Sequence, residues 1–251
     1  MLASVASDVG RVRIANEDWY CLCQLTGGRR PVLMAVADGM GGYEAGEVAS
    51  RLAVEETRYW VEKHVADGQD LLPLLSAACT MANTRMYQLA VETLGWPGMG
   101  STLTIALWEG SRLAVAHVGD SRAYLIRDGA LRRLTDDHSV VGIMVQTGEL
   151  GEKEAMRHPQ RNLLTKALGT EPMVSTDLAE YPVTDGDVIV LCTDGLTNMV
   201  TGEEILAAAG LCPDLSQLGG RLVELANARG GHDNITVLVV GVDGTAGGEG
   251  T

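Results

Sequence analysis

Three aspartates share a setting that could do chemistry. Asp38 follows the apolar run VLMAVA, Asp194 follows VIVLCT, and Asp233 stands just before NITVLVV. Each is a carboxylate at the end of a strand-like segment, where a side chain is held firmly. If the three ends meet at one rim, the carboxylates repel one another and their pKa values rise unless a cation neutralises them. An all-oxygen cluster suits Mg2+ or Mn2+ better than zinc. The stretch VADGMGGYEAG at 36–46 has other readings too, as a tight turn or a phosphate-cradling loop. Asp-Gly is a turn signal, and the chain has six such pairs, at 38–39, 67–68, 128–129, 185–186, 194–195 and 243–244. Asp128, Asp185 and Asp243 are assigned to turns.

Two further clusters carry acids. Asn16-Glu17-Asp18 has Arg13 four residues before Glu17, and strand spacing puts Arg13, Ala15 and Glu17 on one face. The ordinary reading is a solvated charge face. Gly119-Asp120-Ser121-Arg122 follows LAVAHV directly, which is another aspartate at a strand end.

Competing sites fare worse. The loop Gly39–Gly42 has Glu44 where a dinucleotide fingerprint needs its third glycine, and no Walker lysine follows. Cys23 and Arg29 have the cysteine-x5-arginine spacing of thiol phosphatases. That loop must open a helix, whereas Arg30-Pro31 and a strand pattern follow here. His232 beside Asp233 has no second His or Cys at zinc spacing and reads as a loop residue or a neighbour of a ligand. Ser121 with His117 does not resemble a serine hydrolase elbow.

These residues need strands to hold them. Apolar runs rich in Val, Ile and Leu recur at Val32–Ala37, Thr102–Trp108, Leu113–Val118, Ala123–Ile126, Val188–Cys192 and Ile235–Val242, as in buried strands. IRDGAL at 126–131 is a hairpin signal. Helices are expected over Ala45–Val65, Leu71–Glu92, Ile205–Ala209 and Leu215–Ala228; in the first, Val48, Leu52, Glu55 and Tyr59 recur at spacing three to four. Strand groups and helix pairs do not alternate regularly, which favours antiparallel sheets with helices packed outside. The polar middle segment, Ser139 to Gly169, is either a lid beside a site or a surface insertion.

The bulk composition narrows the partners. The 251-residue chain has 19 Lys and Arg against 33 Asp and Glu, a net charge of -14, and no Phe. So acidic a chain repels nucleic acid and anionic membranes, and an anionic substrate needs local arginines or bound metal. The odd, scattered cysteines 21, 23, 79, 192 and 212 read as reduced thiols of a cytoplasmic protein. No signal-peptide core or membrane-length apolar stretch is found. The sequon Asn234-Ile235-Thr236 lies in a strand pattern and is discounted. The tail from Asp243 reads as disordered, either a terminus or the start of a linker.

Taken in order, SDVGRVRIANED (7–18), VADGMGG (36–42), GSTLTIAL (100–107), VGDSRAYLIRDG (118–129), LTDDHS (134–139), LLTKALG (163–169), LCTDGL (191–196) and GGHDNITVLVV (230–240) resemble the metal-dependent protein phosphatase family of the protein phosphatase 2C type, in particular its compact bacterial serine/threonine members. The resemblance covers about residues 4 to 242. It implies an α+β fold, a four-layer α-β-β-α sandwich of two antiparallel β-sheets flanked by helix pairs. Residues 1–243 would form a single catalytic domain with a flap at 139–165, and 244–251 a disordered tail.

By the same resemblance, Asp38 bridges two Mn2+ or Mg2+ ions, the Gly39 carbonyl is a ligand, and Asp194 and Asp233 complete the first metal. Glu17 holds the second metal through water, with Asp18 its neighbour behind. Asp120 serves a third, weaker metal together with Asp194. Arg13 binds the substrate phosphate. A metal-bridged hydroxide would attack phosphorus in line, with no phosphoenzyme. Expected partners are phosphorylated Ser/Thr proteins and a cognate Ser/Thr kinase, acted on by a monomer. The alternative is an inactive relative that binds phosphoproteins, which would be expected to have lost a ligand. Two departures stand out: Met40 occupies the place of a eukaryotic histidine proposed as general acid, and Lys166 stands where arginine is common.

Overall fold

The computed structural model describes residues 2–26, 31–42, 44–93, 96 and 98–243. Along the chain these form β1 (Leu2–Asp8), β2 (Asp18–Gln24), β3 (Val32–Met40), α1 (Ala45–His64), α2 (Leu71–Glu92), β4 (Gly100–Ser101), β5 (Leu103–Glu109), β6 (Arg112–Val118), β7 (Arg122–Arg127), β8 (Ala130–Arg133), α3 (Val140–Gln146), α4 (Glu152–Ala155), β9 (Asp177–Pro182), β10 (Val188–Cys192), α5 (Asp194–Thr197), α6 (Gly202–Gly210), α7 (Leu218–Ala228) and β11 (Ile235–Gly241). One sheet has the order β1-β11-β10-β7-β8 and the other β2-β3-β5-β6-β9, with β4 paired to β3. Every pairing is antiparallel.

Strand alternation builds the layers. In β3, Val32, Met34 and Val36 face the other sheet, where they meet Leu125, Leu191 and Leu238. Their neighbours Leu33, Ala35 and Ala37 face α1 and α2. On the first sheet, Val190, Cys192, Val237 and Val239 turn outward onto Ile205 of α6 and Leu218 and Leu222 of α7. A strand covered on both faces needs apolar residues at every position, which is why these segments read as continuous runs. The result is the expected α-β-β-α sandwich.

Several local expectations change. The buried stripe of α1 is Ala45, Ala49, Ala53, Thr57 and Val61, while Val48, Leu52 and Glu55 are half-buried and Tyr59 is exposed. Small residues at spacing four let the helix lie close to β3, and a search for large apolar side chains overlooks them. The last helix begins at Leu218 after a short 3-10 turn over Leu215–Gln217. β3 runs through Asp38 and Gly39 to Met40, so Asp38 lies inside a strand. Residues 11–17 form a loop rather than a strand. The hairpin at Asp128-Gly129 is as expected, with φ of 49° and 73° at its two central residues. Asp185-Gly186 is also a turn. Gly244 and the tail over 244–251 lie outside the described residues.

Candidate metal centre

The site forms where both sheets end. Asp18 opens β2 directly opposite Asp38 in β3. The Asp38 main chain is held from both sides: its N–H donates to Thr102 Oγ1 at 2.8 Å, and its carbonyl accepts from Ser101 Oγ at 3.0 Å and Thr102 N–H at 2.9 Å. Thr102 Oγ1 in turn lies 2.8 Å from Ser121 Oγ, beside Asp120. Asp194 opens α5, one residue after β10, and its Oδ2 accepts from Asn198 Nδ2 at 2.9 Å. Asp120 follows the turn after β6, where Gly119 has φ +109° and a Cβ would lie 2.6 Å from Thr102 Cβ. That backbone favours glycine.

Asp18 joins the two sheets. Its Oδ2 accepts from Thr193 Oγ1 at 2.8 Å and from Thr236 Oγ1 in β11 at 2.7 Å. Asn234 organises the loop before it: Oδ1 accepts from Glu17 N–H at 2.8 Å, and Nδ2 donates to the Val9 and Ala15 carbonyls at 3.0 and 2.9 Å. Arg13 therefore meets Glu17 across this loop, at 3.5 Å, and pairs with both oxygens of Asp233 at 2.9 and 3.0 Å. Glycines permit the closest approach. A Cβ on Gly39 would sit 1.8 Å from the Gly46 carbonyl oxygen, and one on Gly46 would sit 2.3 Å from Glu17 Oε1.

The electrostatics are those of crowded acids. Burial, then the charges of Asp18, Asp194, Asp120 and Asp233, pushes Asp38 well above the usual carboxylate range. Asp120 rises well above it too, through burial and then Asp194 and Asp137. Burial raises Asp18 to about 7 against the opposing pull of its two threonine hydroxyls. Asp194 rises to about 6 through burial and Asp233. Glu17 is raised by burial, with Arg13 opposing.

These residues suit a cation in kind. Asp18 Oδ1 and Asp194 Oδ1 are buried with no hydrogen-bond partner, a costly state that a hard cation would relieve. The side chains do not themselves close into a cage: among the described residues no three His, Cys, Asp or Glu side chains gather to hold an ion. Asp233, clamped by Arg13, is turned to the guanidinium. All eight anticipated residues, Arg13, Glu17, Asp18, Asp38, Gly39, Asp120, Asp194 and Asp233, nonetheless fall in this region.

Several supporting residues were not anticipated. Thr193 and Thr102 carry a local hint, a small polar residue at the end of an apolar run, whereas Thr236, between Ile235 and Val237, and Asn198 carry none. Asn234, which stands in the sequence as part of a sequon, is 2% exposed. His232 is exposed in the loop before Asp233, and Cys23 lies on β2 while Arg29 lies outside the described residues. His117 and Ser121 are buried structural residues, the former bonded to Thr104 Oγ1 at 2.9 Å. Met40, half-buried at the end of β3, offers no proton. Lys166 Nζ contacts Asp177 at 3.2 Å and His138 Nε2 at 3.4 Å. A cavity of about 930 Å3 opens beside Asp120 and Asp194, walled by Val141, Val145 and Met156 of the middle segment.

Comparison with known proteins identifies the family. The family model for protein phosphatase 2C matches residues 11–235. A serine/threonine phosphatase stp of Listeria innocua is 38% identical over 248 residues, covering 96% of this chain and 95% of that one. The crystal structure of the Mycobacterium tuberculosis serine/threonine phosphatase PstP/Ppp superposes with a TM-score of 0.85 at 39% identity, covering 96% of this chain and 98% of that one. A structure of the PstP catalytic domain in complex with two manganese ions superposes with a TM-score of 0.83 at 38% identity, covering 96% and 98%. The chain belongs to the protein phosphatase 2C family.

Proposed function

We propose that this protein is a Mn2+- or Mg2+-dependent phosphatase of phosphoserine and phosphothreonine proteins, acting in the cytoplasm as a single catalytic domain over 1–243 and opposing a cognate Ser/Thr kinase. The observation that carries this reading is the set of buried, mutually raised carboxylates from both sheets, two of them with orphaned oxygens. Asp38, Asp194, Asp233, Glu17 and the Gly39 carbonyl would hold two ions, and Asp120 with Asp194 a third. When bound, the ions supply charge neutralisation and activation of water for attack on phosphorus.

The chain's own residues do the rest. Asp18 sits behind the cluster and ties β2 to Thr236 of β11. Arg13, with its side chain 44% exposed, can exchange Asp233 for a phosphate dianion and stabilise its equatorial oxygens. The flap over 139–165 and the cavity beneath it leave room for a polypeptide around the phosphorylated residue. An inactive phosphoprotein-binding relative is disfavoured because every ligand-type residue is present.

Hydrolysis of p-nitrophenyl phosphate, with and without Mn2+, in wild type and Asp38→Asn, tests the reading. Strong Mn2+-dependent turnover lost in the variant is expected; equal rates in EDTA would sink it. Phosphothreonine peptides should be cleaved in preference to phosphotyrosine peptides.

A further inference from the structure

Away from the carboxylates, β2 carries a second chemical group. Cys21 and Cys23 are two apart on this strand and point to the same face, toward α1. Their sulfurs lie 3.6 Å apart, with the Cys21 thiol donating to Cys23 Sγ. Cys21 is buried, and Cys23 is half-buried at the sheet edge. The other three cysteines, Cys79, Cys192 and Cys212, are all buried.

We propose that Cys21 and Cys23 form a peroxide-sensitive dithiol, in which Cys23 is oxidised first and Cys21 resolves it to a disulfide within the strand. The asymmetry follows from the contacts. The hydrogen bond from Cys21 favours the thiolate of Cys23, and Arg58 on α1 adds to it, while burial and the nearby Glu62 and Glu55 oppose. Cys21, as donor, is held protonated. A partly exposed thiol whose thiolate form is favoured, beside a resolving thiol, is the arrangement that oxidises selectively.

The steps balance. The Cys23 thiolate attacks one oxygen of a hydroperoxide; an S–O bond forms, the O–O bond breaks, and hydroxide or alkoxide leaves. Sulfur loses two electrons and the peroxide gains them. Cys21 sulfur then attacks Cys23 sulfur, forming S–S and breaking S–O, and the hydroxyl leaves with the Cys21 proton as water.

Strand geometry sets the lability of the product. Two residues along an antiparallel strand separate Cα atoms by about 6.8 Å, at the upper limit of what a disulfide spans. Closing the pair must pucker β2 against β3, where Cys21 lies opposite Ala35 and Cys23 opposite Leu33. A bond under that strain is readily reduced.

The test treats the intact protein with stoichiometric hydrogen peroxide and maps its peptides by mass spectrometry. Wild type should lose two hydrogens within the peptide holding Cys21 and Cys23, and reduced glutathione should restore them. Cys21→Ser should accumulate a dimedone-reactive sulfenic acid at Cys23, whereas Cys23→Ser should form neither product. Prior oxidation at Cys79, Cys192 or Cys212 would overturn the proposal. So would over-oxidation of Cys23 with Cys21 still reduced, or a disulfide that glutathione leaves intact.

Discussion

At the scale of single residues, buried polar atoms decide most. Asp18 depends on Thr193 and Thr236, both fully buried. Replacing either with Val should cost about 1–3 kcal/mol, as a buried acceptor loses a donor; urea denaturation of each variant measures it. His117 gives a pH signature. Its Nε2–H donates to the Asp136 carbonyl at 3.0 Å, and burial, with His138 stacked on it, lowers it to about 4. Unfolded histidine titrates near 6.5, so between about 6.5 and 4 the unfolded chain binds the extra proton. Stability should fall across that window as pH drops, by on the order of 3 kcal/mol from this group. Thermal unfolding of wild type and His117→Gln at pH 7.5 and 4.5 should show a flatter dependence in the variant.

At the scale of elements, the glycines that run from the end of β3 toward α1 divide by contact. A methyl on Gly39 meets the Gly46 carbonyl at 1.8 Å, two pieces of backbone that cannot yield cheaply, while nothing lies within 4 Å of one on Gly42. Gly39→Ala should lower the unfolding midpoint sharply and abolish phosphatase activity; Gly42→Ala should stay within about 0.5 kcal/mol of wild type. On α1, Ala53→Leu should cost about 1–3 kcal/mol by overpacking against β3. Leu52→Ala, on the half-buried flank, should cost less, and calorimetry on the pair would reverse the assignment of the buried face if the order were inverted.

For the whole molecule, the two sheets are tied at one end by acids that repel each other. Mn2+ that binds only the folded state should raise the melting temperature, by about 2.7 kcal/mol equivalent at a hundred times the dissociation constant. The shift should shrink strongly in Asp38→Asn and Asp194→Asn. Calorimetry with Mn2+ and with EDTA reads this without any turnover, and an undiminished shift in both variants would place the binding elsewhere.

The sequence by itself determined the buried strands, the helix pairs and the aspartates at their ends. A strand covered on both faces must be apolar throughout, and a polar residue closing such a run stands out. The edge strands β1, β2 and β9 escaped notice because they are half in solvent and their mixed composition resembles loops. The same holds for the loop at 11–17, which brings Arg13 to Asp233 across 220 residues; no spacing rule reaches that far. Only the tertiary structure decided that Asp18 bridges the sheets through two threonines, that Asn234 shapes the arginine loop, and that Gly39 and Gly46 serve close backbone approach. Those outcomes depend on contacts between segments distant in sequence, and local pattern carries no record of them.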